Sequence, residues 1–290
     1  MKNKLVIIRG GGDLATGTIH RLWAAGLPVL VLEAEYPAAI RRQVSICEAV
    51  YDGEALVEGM KGVLIPSFKE AYDILARGEV PVLVDPEGEA IDKLQPAVVV
   101  DAILAKKNLG TYKEMASLTV ALGPGFEAGK DVDIVIETKR GHNLGRIIRS
   151  GSAFPNTGIP GNIGGYAAER VLHSKEAGIF HNVRKIGDIV EKGEEIARIE
   201  LADGGLCPVP ATISGIIRGL LRDGYCVPKG FKIADIDPRK EELANCFTIS
   251  DKARCIAGSV LEVVISFIGA LDNPAAFFKY EKVKKKYKKY

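Results

Sequence analysis

The stretch Lys4-Leu5-Val6-Ile7-Ile8-Arg9-Gly10-Gly11-Gly12-Asp13-Leu14-Ala15-Thr16-Gly17 carries the first structural decision in the chain. Lys4–Ile8 is the short β-branched run of a buried parallel strand. It empties into three glycines, and the amphipathic stretch Leu14–Ala25 follows before Gly26. A second strand-like run, Pro28–Leu32, ends in Glu33. Gly10-x-Gly12-x-x-Ala15 fits a fingerprint in which glycines permit a tight turn and a close approach of phosphate to backbone, with helix-start amides facing the anion. An acid about twenty residues further on is where a ribose hydroxyl is met. The competing reading is a glycine-rich turn that binds nothing. Strand before, helix after and acid at the right distance favour nucleotide-type binding through Gly10, Gly11, Gly12, Asp13, Ala15, Thr16 and Glu33.

The pattern continues. The apolar runs Val80–Val84, Ala97–Val100, Leu118–Leu122 and Val132–Ile136 end in Asp85, Asp101, Gly123-Pro124-Gly125 and Glu137. In a parallel sheet the carboxyl ends of the strands share one edge, where ligands bind. The fold class expected for the front is therefore α/β, a Rossmann-like, mostly parallel sheet. Its densest ionisable segment, Glu137–Arg149, holds Arg140, His142 and Arg146, the mixture of point charges and forked guanidinium donors that a phosphorylated ligand needs. A charged strand face is the competing reading. A second glycine loop, Asn156–Gly165, leads into a helix-like Tyr166–Leu172.

Behind this the chain repeats itself with a period of 37. Gly178, Ile179, Gly187, Val190, Lys192, Gly193, Ile196, Ala197 and Ile199 recur as Gly215, Ile216, Gly224, Val227, Lys229, Gly230, Ile233, Ala234 and Ile236. Each copy reads as strand, turn, glycine turn and strand, and two copies would cover each other's apolar faces. The segments Gly187–Ala197 and Ala211–Ile217 resemble the biotinyl/lipoyl-carrier type of barrel-sandwich domain. That resemblance implies a hairpin lysine carrying a cofactor. The connection Ala202-Asp203-Gly204-Gly205-Leu206-Cys207 has no lysine, so no covalent biotin or lipoate is expected.

Composition narrows the partners. At 290 residues, 47% apolar and 26% charged, the chain is an ordinary globular protein with room for two units. Its five scattered cysteines form no C-x-x-C pair, which argues against a disulfide framework or a zinc site. The tail Lys279–Tyr290 carries seven lysines against one glutamate, so the remainder is net acidic although the whole is +2. Nucleic-acid binding is not expected. Neither is a membrane span, since Val260–Leu271 is interrupted by Glu262, Ser266 and Gly269. A cytoplasmic protein is the reading.

Three stretches have a more specific look: Arg9–Gly17, Leu122–Phe126 with Glu137–Arg146, and Asn156–Gly161. They resemble the YqeB family of bacterial accessory proteins for selenium-dependent molybdenum hydroxylases, over nearly the whole chain to about Val264. The glycine turn with Glu33 is also similar to the Rossmann domain of XdhC-type maturation factors. The resemblance implies a maturation factor that holds a dinucleotide (NAD-like) or molybdopterin-type phosphorylated cofactor in the Rossmann cleft and docks a client molybdenum hydroxylase. An NAD(P)-dependent oxidoreductase and a non-enzymatic scaffold are the alternatives, and a homo-oligomer is left open. No convincing catalytic set is visible: of four histidines only His142 falls where a cleft group belongs. The organisation expected is a nucleotide-binding domain over 1–150, a glycine loop and connecting helix over 151–175, a barrel-sandwich module over 176–240, a helical segment over 241–278 and the lysine-rich tail.

Overall fold

The computed structural model describes residues 4–156, 158, 161 and 163–272. The lysine-rich tail, and Thr157, Ile159, Pro160 and Asn162 of the second glycine loop, lie outside the described residues. The front unit runs β1 (Val6–Arg9), α1 (Asp13–Ala24), β2 (Val29–Glu33), α2 (Ala49–Asp52), β3 (Glu54–Val57), β4 (Met60–Ile65), α3 (Ala71–Ala76), β5 (Val80–Val84), α4 (Glu89–Leu94), β6 (Val98–Asp101), β7 (Leu118–Leu122), β8 (Glu127–Ala128), β9 (Ile134–Ile136), β10 (Ile147–Ile148) and β11 (Gly151–Ser152). Nine of these strands form one sheet in the order β10-β9-β7-β6-β1-β2-β5-β4-β3, and β8 pairs separately with β11. Side chains alternate across the sheet, so Val6 and Ile8 face one apolar layer while Leu5 and Ile7 face the other. Both faces are covered, which is why the central strands read as unbroken apolar runs.

The duplicated unit follows as β12 (Val171–His173), β13 (Gly178–Asn182), β14 (Ile189–Val190), β15 (Glu195–Glu200), β16 (Leu206–Pro210), β17 (Gly215–Leu220), β18 (Tyr225–Val227) and β19 (Lys232–Asp237). It builds two four-stranded antiparallel sheets, β12-β19-β17-β14 and β16-β15-β13-β18. Between them lies a core that includes Phe180, Ile199, Ile217 and Ile236. The two copies exchange a strand: Gly178 of the first pairs with Val227 of the second, and Gly215 of the second with Val190 of the first. The turns obey the same exchange, since Gly187 N–H donates to Ile217 O and Gly224 N–H to Phe180 O, both at 2.8 Å. Gly178 and Gly215 are equivalent for a steric reason too. A Cβ on either would run into a carbonyl oxygen, of Glu200 and of Asp237 respectively.

This topology corrects the expected pairing of a Rossmann-like, mostly parallel sheet with a barrel-sandwich. The large sheet is mixed, closed at its two edges by the antiparallel strands β3 and β10. The links from β6 to β7 and from β7 to β9 contain no α-helix. The strand–helix alternation of a doubly wound fold therefore stops halfway. The covering layer is completed from the far end of the chain by α5 (Asp251–Asp272), which packs on α1 with Ala253 against Gly17. Apolar runs place strands well, but they do not say which way an edge strand runs or which helix covers it. The stretch Tyr166–Leu172 is not an α-helix either. It makes a 3₁₀ turn at Ala168–Arg170 and enters β12, with Arg170 drawn to Asp235 at 3.1 Å.

The helical stretch Lys240–Leu271 is long and apolar enough, by length and composition alone, to cross a membrane, a test that the core helix of a globular protein also passes. Within it, Ile256, Val260, Val264 and Ile268 of α5 are buried in the core of the front unit.

Candidate functional site

At the glycine turn the acid expected to meet a ribose is already engaged. Glu33 accepts hydrogen bonds from Gly11 N–H at 2.6 Å and Ala34 N–H at 2.8 Å. The segment Ile46–Glu48 lies over the turn: Cys47 N–H donates to Gly11 O at 3.0 Å, and Ile46 N–H to Thr16 Oγ1 at 2.9 Å. A Cβ on Gly11 would stand 3.1 Å from Cys47 N. Ala15 and Thr16 are buried, and burial pushes the Glu33 carboxyl above its ordinary range. Gly10, Gly11 and Glu33 thus close a covered turn, and the reading of this edge as a Rossmann nucleotide-binding cleft is corrected. Sequence spacing put the acid at ribose distance; it could not show that the chain folds back over the glycines.

Other strand ends are also structural. Asp85 caps α4, accepting from Gly88 and Glu89 at 3.0 Å and from Ala90 at 2.8 Å. Asp101 accepts from Thr111 Oγ1 at 2.6 Å, and Thr111 Oγ1 in turn accepts from Arg9 Nη1 at 2.7 Å, so these buried groups tie down the loop after β6. Burial is also the main reason the Asp101 carboxyl is raised. Gly123 and Gly125 pack under Thr138 and the Lys106–Lys107 backbone.

The segment Glu137–Pro155 is different. The loop after β9 closes on itself, Glu137 N–H to Arg146 O at 3.0 Å and Gly145 N–H to Glu137 O at 2.9 Å. The buried Glu137 carboxylate ties two strands of chain together, accepting from Lys139 N–H and Phe154 N–H, each at 2.8 Å. A cavity of about 340 Å³ opens beside it, lined among others by Glu137, Asn143, Arg146, Ser152, Phe154 and Pro155. Arg146 donates to Asn143 Oδ1 at 3.1 Å and forms no ion pair with a described carboxylate. The Phe154 ring is half exposed, with Lys139 Nζ 5.3 Å from its centre. Arg140, on the same loop, leaves the cavity and makes a bidentate pair with Asp251 at the start of α5. His142 is exposed at the loop's outer turn. The structure therefore gathers Glu137 and Arg146 from the expected set into one cavity and places the glycine turn elsewhere. Asn143 and Phe154 escaped the sequence reading; an aromatic three residues after the glycine of a strand–turn is an ordinary packing residue in sequence.

A larger cavity, about 370 Å³, lies at the ends of β4 and β5. Asp85, Glu87 and Glu89 line it, a set that repels anions, and Asp85 is committed to α4.

Among the described residues, no three His, Cys, Asp or Glu side chains gather as a metal-binding group. No protein-family model matches the chain. A curated relative does: YqeB of Escherichia coli K12, an uncharacterized protein, is 51% identical over 263 residues. The chain is a homologue of YqeB. The match covers 91% of this chain and 48% of that protein, so the chain spans about half the length of the relative it matches. Among solved structures, the apo ectoine utilization protein EutE of Ruegeria pomeroyi shares 13% identity over 80% of this chain and 85% of that one, with a TM-score of 0.26. A succinylglutamate desuccinylase/aspartoacylase of Rhodobacter sphaeroides shares 13% over the same fractions, with a TM-score of 0.27. A succinylglutamate desuccinylase of Silicibacter sp. TM1040 shares 13% over 80% and 84%, with a TM-score of 0.26. At those scores no activity passes to this chain.

The functional expectation is corrected with the fold. At Gly11 the turn meant to hold a nucleotide or molybdopterin-type cofactor is roofed by Ile46–Glu48, while Gly12 faces open space. Maturation of a selenium-dependent molybdenum hydroxylase, with NAD(P)-linked oxidoreduction and pure scaffolding as its alternatives, gives way to a reading from the cavity itself.

Proposed function

We propose that the protein binds a small molecule carrying a flat ring and an anionic group, phosphate or carboxylate, in the cavity between Glu137 and Pro155. The observation that supports this reading is Arg146, a guanidinium in a concave site with no described carboxylate to neutralise it. Guanidinium pairs bidentately with planar or tetrahedral oxyanions. Glu137, whose two oxygens already accept backbone amides, holds the cavity's two walls together and leaves Arg146 its charge. The half-exposed Phe154 ring offers a stacking face, and Lys139 above it adds a second cation. Calorimetry with phenyl phosphate as probe tests the reading. Binding should weaken about tenfold or more in Arg146→Ala with little change in melting temperature, and should also weaken in Phe154→Ala. Wild-type affinity in Arg146→Ala would refute it.

A further inference from the structure

Where the front unit meets the duplicated one, Arg41 is 5% exposed. Its Nη2 donates to the carbonyls of Asn245 at 2.9 Å and Thr248 at 3.0 Å, while Nε and Nη1 have no hydrogen-bond partner. Its nearest carboxylate oxygen, of Asp13, is 3.7 Å from Nη1, longer than a hydrogen bond. Buried donors left open in this way are rare and costly, so their presence calls for an acceptor.

The surroundings are cationic. Arg218 repels Arg41, and Asp235, the carboxylate that would offset it, is already shared between Arg218 at 3.3 Å and the buried Arg170 at 3.1 Å. Arg170 Nε is a second buried donor without a partner. From the start of α5, Lys252 feels both Asp13 and the repulsion of Arg140, and burial is the main reason its ammonium is disfavoured. Asp251 is taken up by Arg140. Asp235 and Asp251 are thus already matched, Asp13 alone faces both Arg41 and Lys252, and Arg41, Arg218 and Lys252 share a surplus of positive charge with buried donors to spare.

We infer that this junction is an oxyanion site, distinct from the Phe154 cavity, in which a phosphate or carboxylate group accepts from Arg41 Nε and Nη1 and is neutralised by Lys252 and Arg218. The site stands whether or not the Phe154 cavity binds a ligand. It is assembled from residues far apart in the chain, so an occupying anion cross-links α5, the segment after β2 and β17.

The test uses the full chain at low ionic strength, with inorganic phosphate and succinate as probes and sodium chloride at matched ionic strength as the reference. Phosphate, succinate or both should raise the melting temperature saturably beyond chloride. Lys252→Met removes a charge that burial already disfavours, so its ligand-free melting temperature should equal or exceed wild type. Its affinity for the stabilising anion should fall about tenfold or more. Arg41→Lys should weaken the response as well, while Arg146→Ala should keep it. No saturable shift beyond chloride overturns the site. So does a shift that survives Lys252→Met, or one that Arg146→Ala abolishes, which would put the anion in the Phe154 cavity.

Discussion

The Gly11 amide and the Glu33 carboxylate lie 2.6 Å apart, joining the first two strands of the sheet across the glycine turn. Burial raises this carboxyl above its reference of 4.5, with the Ala34 and Gly11 amides opposing the shift. A raised folded-state value means that the contribution to stability is full below the unfolded value and is lost as pH rises through the folded one. Glu33→Gln should therefore flatten the decline of unfolding free energy with rising pH above about 4.5, measured by denaturant titration from about pH 4 to 7. An unchanged slope would show that another group governs this window.

The Arg9–Thr111–Asp101 chain carries charge inside the fold, with Arg9 3% and Asp101 2% exposed. Breaking such a set by removing one charge leaves the other uncompensated. Asp101→Ala should cost about 3–5 kcal/mol and Thr111→Val about 1–2 kcal/mol. Urea midpoints of the two variants check both the size and the order.

Gly178 and Gly215 occupy equivalent places, each facing a carbonyl oxygen one strand away. Alanine at either should destabilise by about 1–3 kcal/mol, and the two costs should agree within about 1 kcal/mol. A large disparity in thermal denaturation would mean that the internal symmetry does not extend to the strand starts.

Arg222 of the duplicated unit reaches the front unit. It pairs with Glu48 at 2.9 Å and with Asp52, and lies 4.5 Å from the centre of the Tyr51 ring. Glu48 is 9% exposed at its side chain, and burial already raises its carboxyl. Arg222→Ala should cost more than an ordinary surface pair, about 1–3 kcal/mol, because Glu48 loses its hydrogen-bonded partner and keeps only Arg42, at 4.0 Å. Adding Glu48→Gln should restore part of that loss, a coupling that a double-mutant cycle measures directly.

Much of the architecture was legible in residues whose signals are local. The β-branched runs at Val80–Val84 and Leu118–Leu122 are strands over those residues, and Asp13–Ala24 is a helix one residue from where the amphipathic pattern begins. The period of 37 revealed the duplication because the exchange preserves every repeated glycine turn. What was not legible depends on distant partners. Glu33 looked like a ribose ligand because spacing cannot reveal the return of Ile46–Glu48 over the turn. Arg41 and Lys252 gave no local sign, since one follows a strand in a polar loop and the other resembles any lysine in a first helical turn. Arg140 and Arg146 are neighbours in sequence, yet the closed loop sends one to Asp251 and the other into the cavity.

The exchanged strands of the back unit bear on its ancestry. Each sheet borrows its short strand, β18 or β14, from the other copy. A lone copy would have exposed both an unpaired strand edge and half a core, a state prone to association. Its missing partner could only have come from a second polypeptide. A symmetric two-chain assembly would supply it, at a cost that depends on concentration; within one chain the same contact is intramolecular and its cost does not.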